Sequence, residues 1–363
     1  MRKVTGGPEL VELSRDAGTE VIEPRVAYFA SSEEEVAACL KEAEEHGLAI
    51  TARGGGTGIP TQSVGGGALV LHTDASTTVT GDLVRCRPGV VKAELNRRLA
   101  QNDRWVPVDP SSYASCTVGG MVANNSSGAR SLKYGATIRY VRELRVVLPG
   151  GGRAVPVRAL PLEEAMSGDP RTRRVASLLA ENQKQIAEDA PRVTKNSSGY
   201  RLEGALQGDV LALPRLFVGS EGTLGFTTEA TLATSKRPAW RLLFIVETSL
   251  AELGQVAAEF RALMPSALEL VDKSVFSRVG RWEKVAGYSR SDDEYMVFCE
   301  FDGDGSLEGT AERVASSPVA GLDPVAVTDP SDVQAAWEVR NETLALAQEI
   351  RDGPRRLVPG VED

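Results

Sequence analysis

The 363-residue chain has few of the residues from which metal sites and disulfide frameworks are built. It contains only two histidines, His46 and His72, and this argues against a histidine-based metal site. Its four cysteines are widely spaced and form no CxxC pair, which matches neither a zinc site nor a disulfide framework. We therefore predict no metal site and a reducing, cytoplasmic compartment.

Long apolar runs are also missing. No stretch approaches the roughly 18–20 residues that span a bilayer, and Arg2 and Lys3 are followed by no apolar run, so we expect no signal peptide. The formal net charge of −9 argues against a bulk nucleic-acid binder, because such proteins usually carry a basic face. We expect a protein that is not transmembrane and binds no nucleic acid, with peripheral attachment to the inner membrane face as an alternative to free cytoplasmic location.

Two common catalytic motifs are absent. No GxxxxGK[ST] sequence occurs, so a P-loop for ATP or GTP gains no support. No GxSxG nucleophile elbow occurs, and with two histidines a Ser-His-Asp hydrolase is poorly supported. Cys116 stands in a Gly- and Ser-rich stretch, but a small buried residue is a more common role for such a cysteine than a catalytic thiol.

The N-terminal part of the chain has the order helix, strand, glycine-rich loop, strand. Residues 32–47 carry a capping box of Ser32 and Glu35, followed by apolar residues at helical spacing. A short buried strand is predicted at 48–51 and another at 67–73. A Rossmann unit has the order strand, loop, helix, so this arrangement argues against one.

Glycine is concentrated in three clusters, together with Ser, Thr and Asn. The first cluster is residues 53–67, the second is 109–135 and the third is 218–225. Such loops expose main-chain N–H groups that bind anions, and glycine lets a ligand approach the backbone closely. Any single cluster is explained equally well by tight turns. Three together indicate one extended ligand, such as a dinucleotide, held from several sides.

The clusters resemble the FAD-binding domain of the vanillyl-alcohol oxidase/p-cresol methylhydroxylase superfamily, in order and spacing. The matching stretches are ARGGGTGIPTQSVGGGALVL, DPSSYASCTVGGMVANNSSGARSLKYGATIRYVRELRVVLPGG and LFVGSEGTLGFTTEATL. The resemblance is greatest to the branch that holds glycolate oxidase FAD subunits, D-lactate dehydrogenases and D-2-hydroxyglutarate dehydrogenases. Two later stretches, LELVDK and AAWEVRNETLALAQEIRDGPRRLVPGVED, are similar to cap segments of bacterial FAD-linked oxidases.

The resemblance implies an α+β fold with two domains. Residues 1–235 would form a two-subdomain FAD-binding domain of the p-cresol methylhydroxylase type, with subdomains at about 22–80 and 81–235. Residues 236–363 would form a partial ferredoxin-like α+β cap domain that binds substrate and is incomplete at its C-terminus. The sequence itself supports the cap, because a β-α-β-β order begins after a polar, Pro-containing break at 234–241. It also predicts a polar helical region at 163–192, a loop followed by an alternating strand at 214–234, and a last helix at about 331–351.

The resemblance also implies which residues bind FAD. The first cluster would wrap the pyrophosphate with main-chain N–H groups, the second would cover the adenine and ribose and run under the isoalloxazine, and the third would add further contacts. The implied cofactor-binding residues are Arg53, Gly54, Gly55, Gly56, Thr57, Gly58, Gln62, Ser63, Pro110, Ser111, Thr117, Gly119, Gly120, Asn125, Ser127, Gly128, Gly135, Glu221, Gly222 and Phe226. Members with covalent flavin use a histidine in the first loop, which has none here, so we predict non-covalent FAD.

For the reaction, the resemblance implies oxidation of a D-2-hydroxy acid of the lactate, glycolate or 2-hydroxyglutarate type by hydride transfer to flavin N5. A carboxylate is best bound by a bidentate arginine. Arg340 matches the cap arginine, with Arg356 or Arg355 as a second contact. Electrons would pass to a quinone, another flavoprotein or an iron–sulfur protein. The catalytic base is not identified, because neither histidine matches the His-containing C-terminal segment of relatives.

Two alternatives remain open. Because that C-terminal segment is missing, the first alternative is a flavin-binding subunit or fragment that needs a partner polypeptide for catalysis. The second is a non-redox reaction on the same fold, of the alkyl-dihydroxyacetonephosphate synthase type, because those relatives share RGGGT with residues 53–57.

Overall fold

A computed structural model gives the fold of two compact units. It describes residues 1–193, 196–272, 295–349, 351–352 and 355–356, with side chains as far as Glu342 within these ranges. The first unit comprises residues 1–126 and 136–236, and the second comprises 127–135 and 237–363. Nothing in the sequence marks the short stretch 127–135 as part of the second unit.

The first unit contains a four-stranded, a seven-stranded and a two-stranded sheet. Its strands are β1 (Arg2–Val4), β2 (Val26–Ala30), β3 (Ile50–Arg53), β4 (Ala68–His72), β5 (Thr77–Thr80), β6 (Leu83–Cys86), β7 (Arg104–Trp105), β8 (Val141–Val147), β9 (Val155–Pro161), β10 (Leu206–Gln207), β11 (Val210–Ala212), β12 (Phe226–Ala233) and β13 (Ser235–Lys236). Its helices are α1 (Pro8–Glu12), α2 (Glu33–Glu45), α3 (Lys92–Leu99), α4 (Val118–Asn124), α6 (Leu162–Ser167), α7 (Pro170–Glu181), α8 (Gln183–Asp189) and α9 (Pro214–Phe217). The sheet orders are β1-β2-β4-β3, β10-β11-β9-β8-β12-β6-β5 and β13-β7.

The predicted order of helix, strand, loop and strand is confirmed as α2, β3, the glycine-rich loop and β4. The Ser32 hydroxyl accepts a hydrogen bond from the Glu35 N–H at 3.2 Å, as a capping box requires. The Glu35 carboxylate accepts from the N–H of Ser31, one residue before the expected partner. Helix α2 buries Val36, Leu40 and Ala43 against β2 and β4, which run parallel and are almost fully buried.

One strand of the seven-stranded sheet alternates strictly between buried and half-buried residues. This strand is β12, predicted as alternating, and it pairs with β8 on one side and β6 on the other. The polar region 163–192, predicted as helical, forms the three helices α6, α7 and α8. The break between the first two has a local cause, since the Asp169 carboxylate caps α7 by accepting N–H bonds from Arg171 and Thr172.

Glu33, in the first turn of α2, links that helix to the seven-stranded sheet. Its carboxylate accepts from Arg145 Nη2 on β8 at 2.8 Å and from the Thr228 hydroxyl on β12 at 3.3 Å. The hydrogen bond from Arg145 lowers the pKa of Glu33, which therefore stays ionised in the folded protein well below neutral pH.

We expect Glu33→Gln to lower the free energy of unfolding by about 1.5–3 kcal/mol at pH 7, because it removes hydrogen bonds to a charged partner. A carboxylate whose pKa is depressed by folding stabilises the protein above its unfolded pKa and loses that effect as pH falls through the folded pKa. The difference between the variant and the wild type should therefore shrink below about pH 4. Urea unfolding at pH 7 and pH 3 measures this, with Glu45→Gln, an exposed residue of the same helix, as the control. An equal loss at both pH values would show that the ion pair is not its cause.

The second unit is built mainly on a four-stranded antiparallel sheet with helices on its faces, and it also has a separate two-stranded sheet. Its strands are β14 (Trp240–Thr248), β15 (Ala267–Asp272), β16 (Tyr295–Gly303), β17 (Val325–Val327), β18 (Arg351–Asp352) and β19 (Arg355–Arg356). Its helices are α5 (Ser131–Tyr134), α10 (Leu250–Ala262), α11 (Leu307–Ala315) and α12 (Pro330–Glu349). The main sheet has the order β15-β16-β14-β17.

The β-α-β-β order expected after residue 241 is the observed order β14, α10, β15, β16. Both faces of the sheet are covered, which explains the nearly continuous burial of β14 and β16. One face packs on α10 and α11 through residues such as Val256 and Val314, and the other packs on α12 through Val333, Ala336 and Trp337. The last helix, predicted over about 331–351, is observed at Pro330–Glu349.

Candidate functional site

The first and second glycine clusters lie against each other within the first unit. A Cβ on Gly54 would lie 2.6 Å from the hydroxyl oxygen of Thr117, and a Cβ on Gly55 would overlap the carbonyl oxygen of Ser115. Real Cβ atoms essentially never approach other atoms so closely, so only glycine allows this contact of the two loops.

The third cluster joins the same surface. The Glu221 N–H donates to the Ala123 carbonyl in α4 at 2.9 Å. A Cβ on Gly222 would lie 3.1 Å from the Cβ of Ala52, at the start of the first cluster. The three clusters, far apart in sequence, therefore form one continuous group of loops, as expected for the walls of a groove for an extended ligand. We name this group the glycine wall, comprising 52–67, 115–124 and 218–225.

Several residues of the glycine wall have left-handed backbone conformations. Gly56 has φ of 66° and Gly222 has φ of 77°. Glu221, with φ of 51°, adopts this conformation without being glycine. Such strain persists only where the surroundings fix it, and it is common at ligand sites.

The Arg53 guanidinium holds the first loop to the N-terminal segment. It donates to the carbonyls of Arg15 at 2.8 Å and Ser63 at 3.1 Å. Asp16 accepts from the Ser63 hydroxyl at 2.9 Å, so both ends of the loop are fixed to the same segment. Burial lowers the pKa of Arg53. These bonds engage the side chains of Arg53 and Ser63 and also the main chain of Ser63, whose N–H donates to Asp16 at 3.3 Å.

Gln62 provides a test of whether the loop fits a polar ligand. Its Oε1 atom is buried and has no hydrogen-bond partner among the residues that the structure describes. Its side chain faces Gly58, where a Cβ would lie 2.7 Å from Nε2. A buried unpaired amide oxygen is costly unless a ligand or water donates to it. The loop therefore fits a polar ligand that donates a hydrogen bond here.

Other predicted cofactor residues have structural roles in the same unit. Thr117 caps α4 by accepting from the Gly120 N–H at 3.3 Å, and Gly119 lies close to Pro88. Asn125 ends α4 in a left-handed conformation, and its Oδ1 accepts from the Ile138 N–H at 3.0 Å. These side chains shape the N-terminal turn and the end of a short helix within the glycine wall.

Four more predicted residues lie at the edges of this region or in its core. Pro110 and Ser111 lie in the half-buried loop that leads to α4, where the Pro110 carbonyl accepts from Tyr113. Thr57 lies in the first loop and is half-buried. Phe226 is 7% exposed and packs in the core between α2 and the sheets, so its side chain has a packing role.

Ser127, Gly128 and Gly135 belong to the second unit. The Gly128 carbonyl accepts from the Ser131 N–H at 2.9 Å and opens α5, which Gly135 closes with φ of 72°. Their role as cofactor contacts stays a prediction.

Two contributors to the glycine wall were not recognised in the sequence. Asp16 fixes the first loop, and Tyr200 donates or accepts a hydrogen bond with the Thr223 hydroxyl at 2.8 Å in the third cluster. The sequence NSSGYR, residues 196–201, has the same Ser- and Gly-rich composition as the other clusters, and this was the available signal. Asp16 gave no comparable signal, because its partner Ser63 is 47 residues away.

The residues considered for catalysis in the first unit are not arranged for it. Cys116 is 5% exposed and burial raises its pKa, which disfavours the reactive thiolate. His72 is buried in β4, and burial lowers its pKa. His46 ends α2, with Nδ1 2.8 Å from the Glu42 carbonyl oxygen. Within the described ranges, no group of His, Cys, Asp and Glu side chains is placed to hold a metal ion.

Arg340, the predicted substrate arginine, lies on α12 in the second unit and is 9% exposed. Its Nη2 atom forms an ion pair with the carboxylate of Glu269 on β15. It is therefore a buried, positioned arginine, in contrast to the solvated side chains of an ordinary helix surface. Arg356 lies in the two-residue strand β19, and Arg355 beside it, but their side chains lie outside the described part of the chain.

Comparisons with known proteins identify the family. The profile of an FAD binding domain matches residues 24–156, and the profile of the C-terminal domain of FAD linked oxidases matches residues 237–358. None of the described helices is both long and apolar enough to cross a membrane.

Curated relatives share a similar level of identity. A D-2-hydroxyglutarate dehydrogenase of Pseudomonas putida is 29% identical over 94% of this chain and 37% of its own length. A D-lactate dehydrogenase of Archaeoglobus fulgidus is 30% identical over 85% of this chain and 61% of its own. The glycolate oxidase subunit GlcD of Escherichia coli is 27% identical over 93% of this chain and 62% of its own. The chain thus spans between about a third and two thirds of the length of these relatives.

A solved structure of alkyldihydroxyacetonephosphate synthase matches with a TM-score of 0.62 at 16% identity, over 91% of this chain and 56% of that one. At this identity the match concerns the fold alone. FAD as the cofactor, predicted from the glycine clusters and the resemblance, is confirmed by both family matches. The glycine wall and the matches over both parts of the chain lead to one conclusion: the chain belongs to the FAD-linked oxidase superfamily.

Proposed function

We propose that this protein is an FAD-dependent oxidoreductase that oxidises a D-2-hydroxy acid of the lactate, glycolate or 2-hydroxyglutarate type. The observation that carries the proposal is the glycine wall, in which three loops meet and the first two touch through contacts that only glycine allows. The similarity to dehydrogenases of D-lactate and D-2-hydroxyglutarate supports the substrate class.

The glycine wall is proposed to bind FAD without a covalent bond. Main-chain N–H groups of the first loop bind the pyrophosphate, and the Gln62 amide accepts a hydrogen bond from the cofactor. FAD, when bound, accepts the two electrons that the hydroxy acid loses. The rigid fixing of the loop by Arg53 and Asp16 keeps these groups in place before the cofactor arrives, which reduces the entropy cost of binding.

Arg340 is proposed to bind the substrate carboxylate, with Arg356 as a second contact. A guanidinium presents two parallel N–H groups to a carboxylate, and burial strengthens the interaction. Arg340 Nη2 pairs with Glu269 and Nη1 donates to the Asn341 Oδ1 at 3.4 Å, so the guanidinium is oriented before the substrate binds. The final electron acceptor is proposed to be a quinone, a flavoprotein or an iron–sulfur protein, in the cytoplasm or at the inner membrane face.

We further propose that the two larger sheets of the first unit represent the two subdomains of a p-cresol methylhydroxylase-type FAD domain. The second unit would be the ferredoxin-like substrate cap, which the strand order β15-β16-β14-β17 supports.

A second candidate is a flavin-binding subunit that needs a partner polypeptide. The similarity to the glycolate oxidase subunit GlcD favours it. The alkyl-transfer alternative has support only from the fold of a solved synthase.

The absorption spectrum of the purified protein, followed by anaerobic mixing with D-lactate, glycolate and D-2-hydroxyglutarate, tests the proposal. We expect a flavin band that precipitation with acid releases into the supernatant, as non-covalent binding requires, and bleaching of this band by one of the three acids. L-lactate serves as the control. A bound flavin that none of the acids reduces would favour the partner-dependent subunit, and a protein that does not take up FAD would contradict both.

A further inference from the structure

A short excursion of the chain carries three of the predicted cofactor residues into the second unit. The chain leaves the first unit after Ser126 and returns at Ala136. The base of this excursion is closed by the Thr137 N–H and hydroxyl, which donate to the Ser126 carbonyl at 2.9 and 2.7 Å. Residues 127–135, here named the excursion, therefore need their own anchor in the second unit.

Glu300, in the middle of β16, provides a fully buried anchor. Its two carboxylate oxygens accept from Arg130 Nε and Nη2, each at 2.6 Å, in a bidentate pair. The indole Nε1 of Trp337 on α12 donates to the same carboxylate at 2.6 Å. The Arg130 guanidinium also lies 5.2 Å from the centre of the Trp337 ring. One carboxylate thus binds both the excursion and α12.

Asp302, two residues further along the same face of β16, is a second anchor for the excursion. It accepts from the Tyr134 hydroxyl at 2.9 Å and from Lys133, and its Oδ1 also accepts from the Ser266 hydroxyl at 2.6 Å. The excursion is therefore bonded to β16 through Arg130 and, one helical turn later, through Lys133 and Tyr134. These bonds fix its position on the sheet.

The same helix face carries the proposed substrate arginine. Trp337 and Arg340 are three residues apart on α12, so both point to the same side. Trp337 bonds to Glu300 on β16, and Arg340 pairs with Glu269 on the neighbouring strand β15. Glu300 and Glu269, on the same face of the sheet as Asp302, thus fix the excursion and the arginine.

Stability alone does not explain this arrangement. A buried ion pair costs so much desolvation that apolar residues of similar volume often stabilise a protein as well or better. Glu300 is 0% exposed and Arg130 is 8% exposed, on a face otherwise formed by residues such as Met296 and Phe298. We therefore attribute the pairing of Arg130 with Glu300 to the fixed geometry that it gives.

We propose that Glu300 is a positioning residue, which sets the excursion in register with Arg340. It would thereby fix the cofactor-contacting residues Ser127 and Gly128 relative to the group that binds the substrate carboxylate. This inference rests on the proposed function, because it requires the excursion to contact FAD and Arg340 to bind the acid.

The test compares Glu300→Gln with the double variant Arg130→Met/Glu300→Gln. The single variant removes the negative charge that pairs with the buried Arg130, so we expect a lower melting temperature and FAD affinity and kcat/KM each reduced by about tenfold or more. The double variant also removes the Arg130 charge and should recover the melting temperature. Its FAD affinity and kcat/KM should stay about tenfold reduced, because the register is still lost. Glu312→Gln, an exposed change on α11, is the matched control.

FAD affinity is measured by titrating the apoprotein with FAD. The value of kcat/KM is measured with the hydroxy acid that bleaches the flavin. Recovery of both values together with the melting temperature in the double variant would overturn the positioning role and leave the proposed function intact. A wild type that takes up no FAD would instead contradict the proposed function.

If Glu300→Gln does not fold, Trp337→Phe replaces it, because it keeps the ring beside Arg130 and removes only the bond from α12 to Glu300. We then expect a higher KM with unchanged FAD affinity, and an unchanged KM would overturn the proposal.

Discussion

Gly55→Ala is expected to weaken FAD binding by at least about 100-fold and to give a protein that purifies without colour. The added methyl group overlaps the carbonyl oxygen of Ser115, and the Cα of Cys116 lies only 3.3 Å away. Because both are backbone atoms, rotation of a side chain cannot relieve the clash. The first loop must move away from the second, and two or more hydrogen bonds to a charged pyrophosphate are lost, each worth about 1.5–3 kcal/mol.

Gly66→Ala is the matched control in the same loop. The nearest atom to a Cβ there is 3.8 Å away, on Ile22, so the methyl group makes only an ordinary van der Waals contact. Titration of each apoprotein with FAD, followed by absorption, measures the two affinities, and circular dichroism checks that both variants fold. Equal affinities in the two variants would show that contact between the two loops is not required for cofactor binding.

Arg340→Lys is expected to raise the KM for the hydroxy acid by about ten- to 100-fold while the flavin spectrum stays unchanged. Lysine keeps a positive charge beside Glu269 but cannot present two parallel N–H groups to a carboxylate. The loss of one hydrogen bond between charged groups costs about 1.5–3 kcal/mol, which corresponds to this change in affinity.

Steady-state kinetics with the acid that bleaches the flavin measures this effect. Arg313→Ala, at an exposed position of α11, controls for the general effect of losing a positive charge from the second unit. An unchanged KM in Arg340→Lys would assign Arg340 to pairing with Glu269 alone and would remove it from the substrate site.

The features predicted correctly from the sequence have local signals. The capping box of α2, the alternation of β12 and the absence of a helix after the first loop each depend on residues within a few positions of one another. The break between α6 and α7 also had a local signal, Asp169 followed by Pro170, which the prediction of one helical region overlooked. Strand β5 was missed because its four residues, TTVT, are short and half exposed.

By itself, the sequence predicted that the three glycine clusters serve an extended ligand, and it determined the resemblance to FAD-linked oxidases. Glycine is informative alone, because its allowed backbone conformations and its lack of a side chain are properties of single residues. The tertiary structure decided which of the 41 cations meets which of the 50 acids. Arg130 and Glu300 are 170 residues apart, and nothing in the sequence near either residue indicates the other. Only the folded sheet brings the two charges together, because an ion pair depends on distance in space and leaves no pattern along the chain.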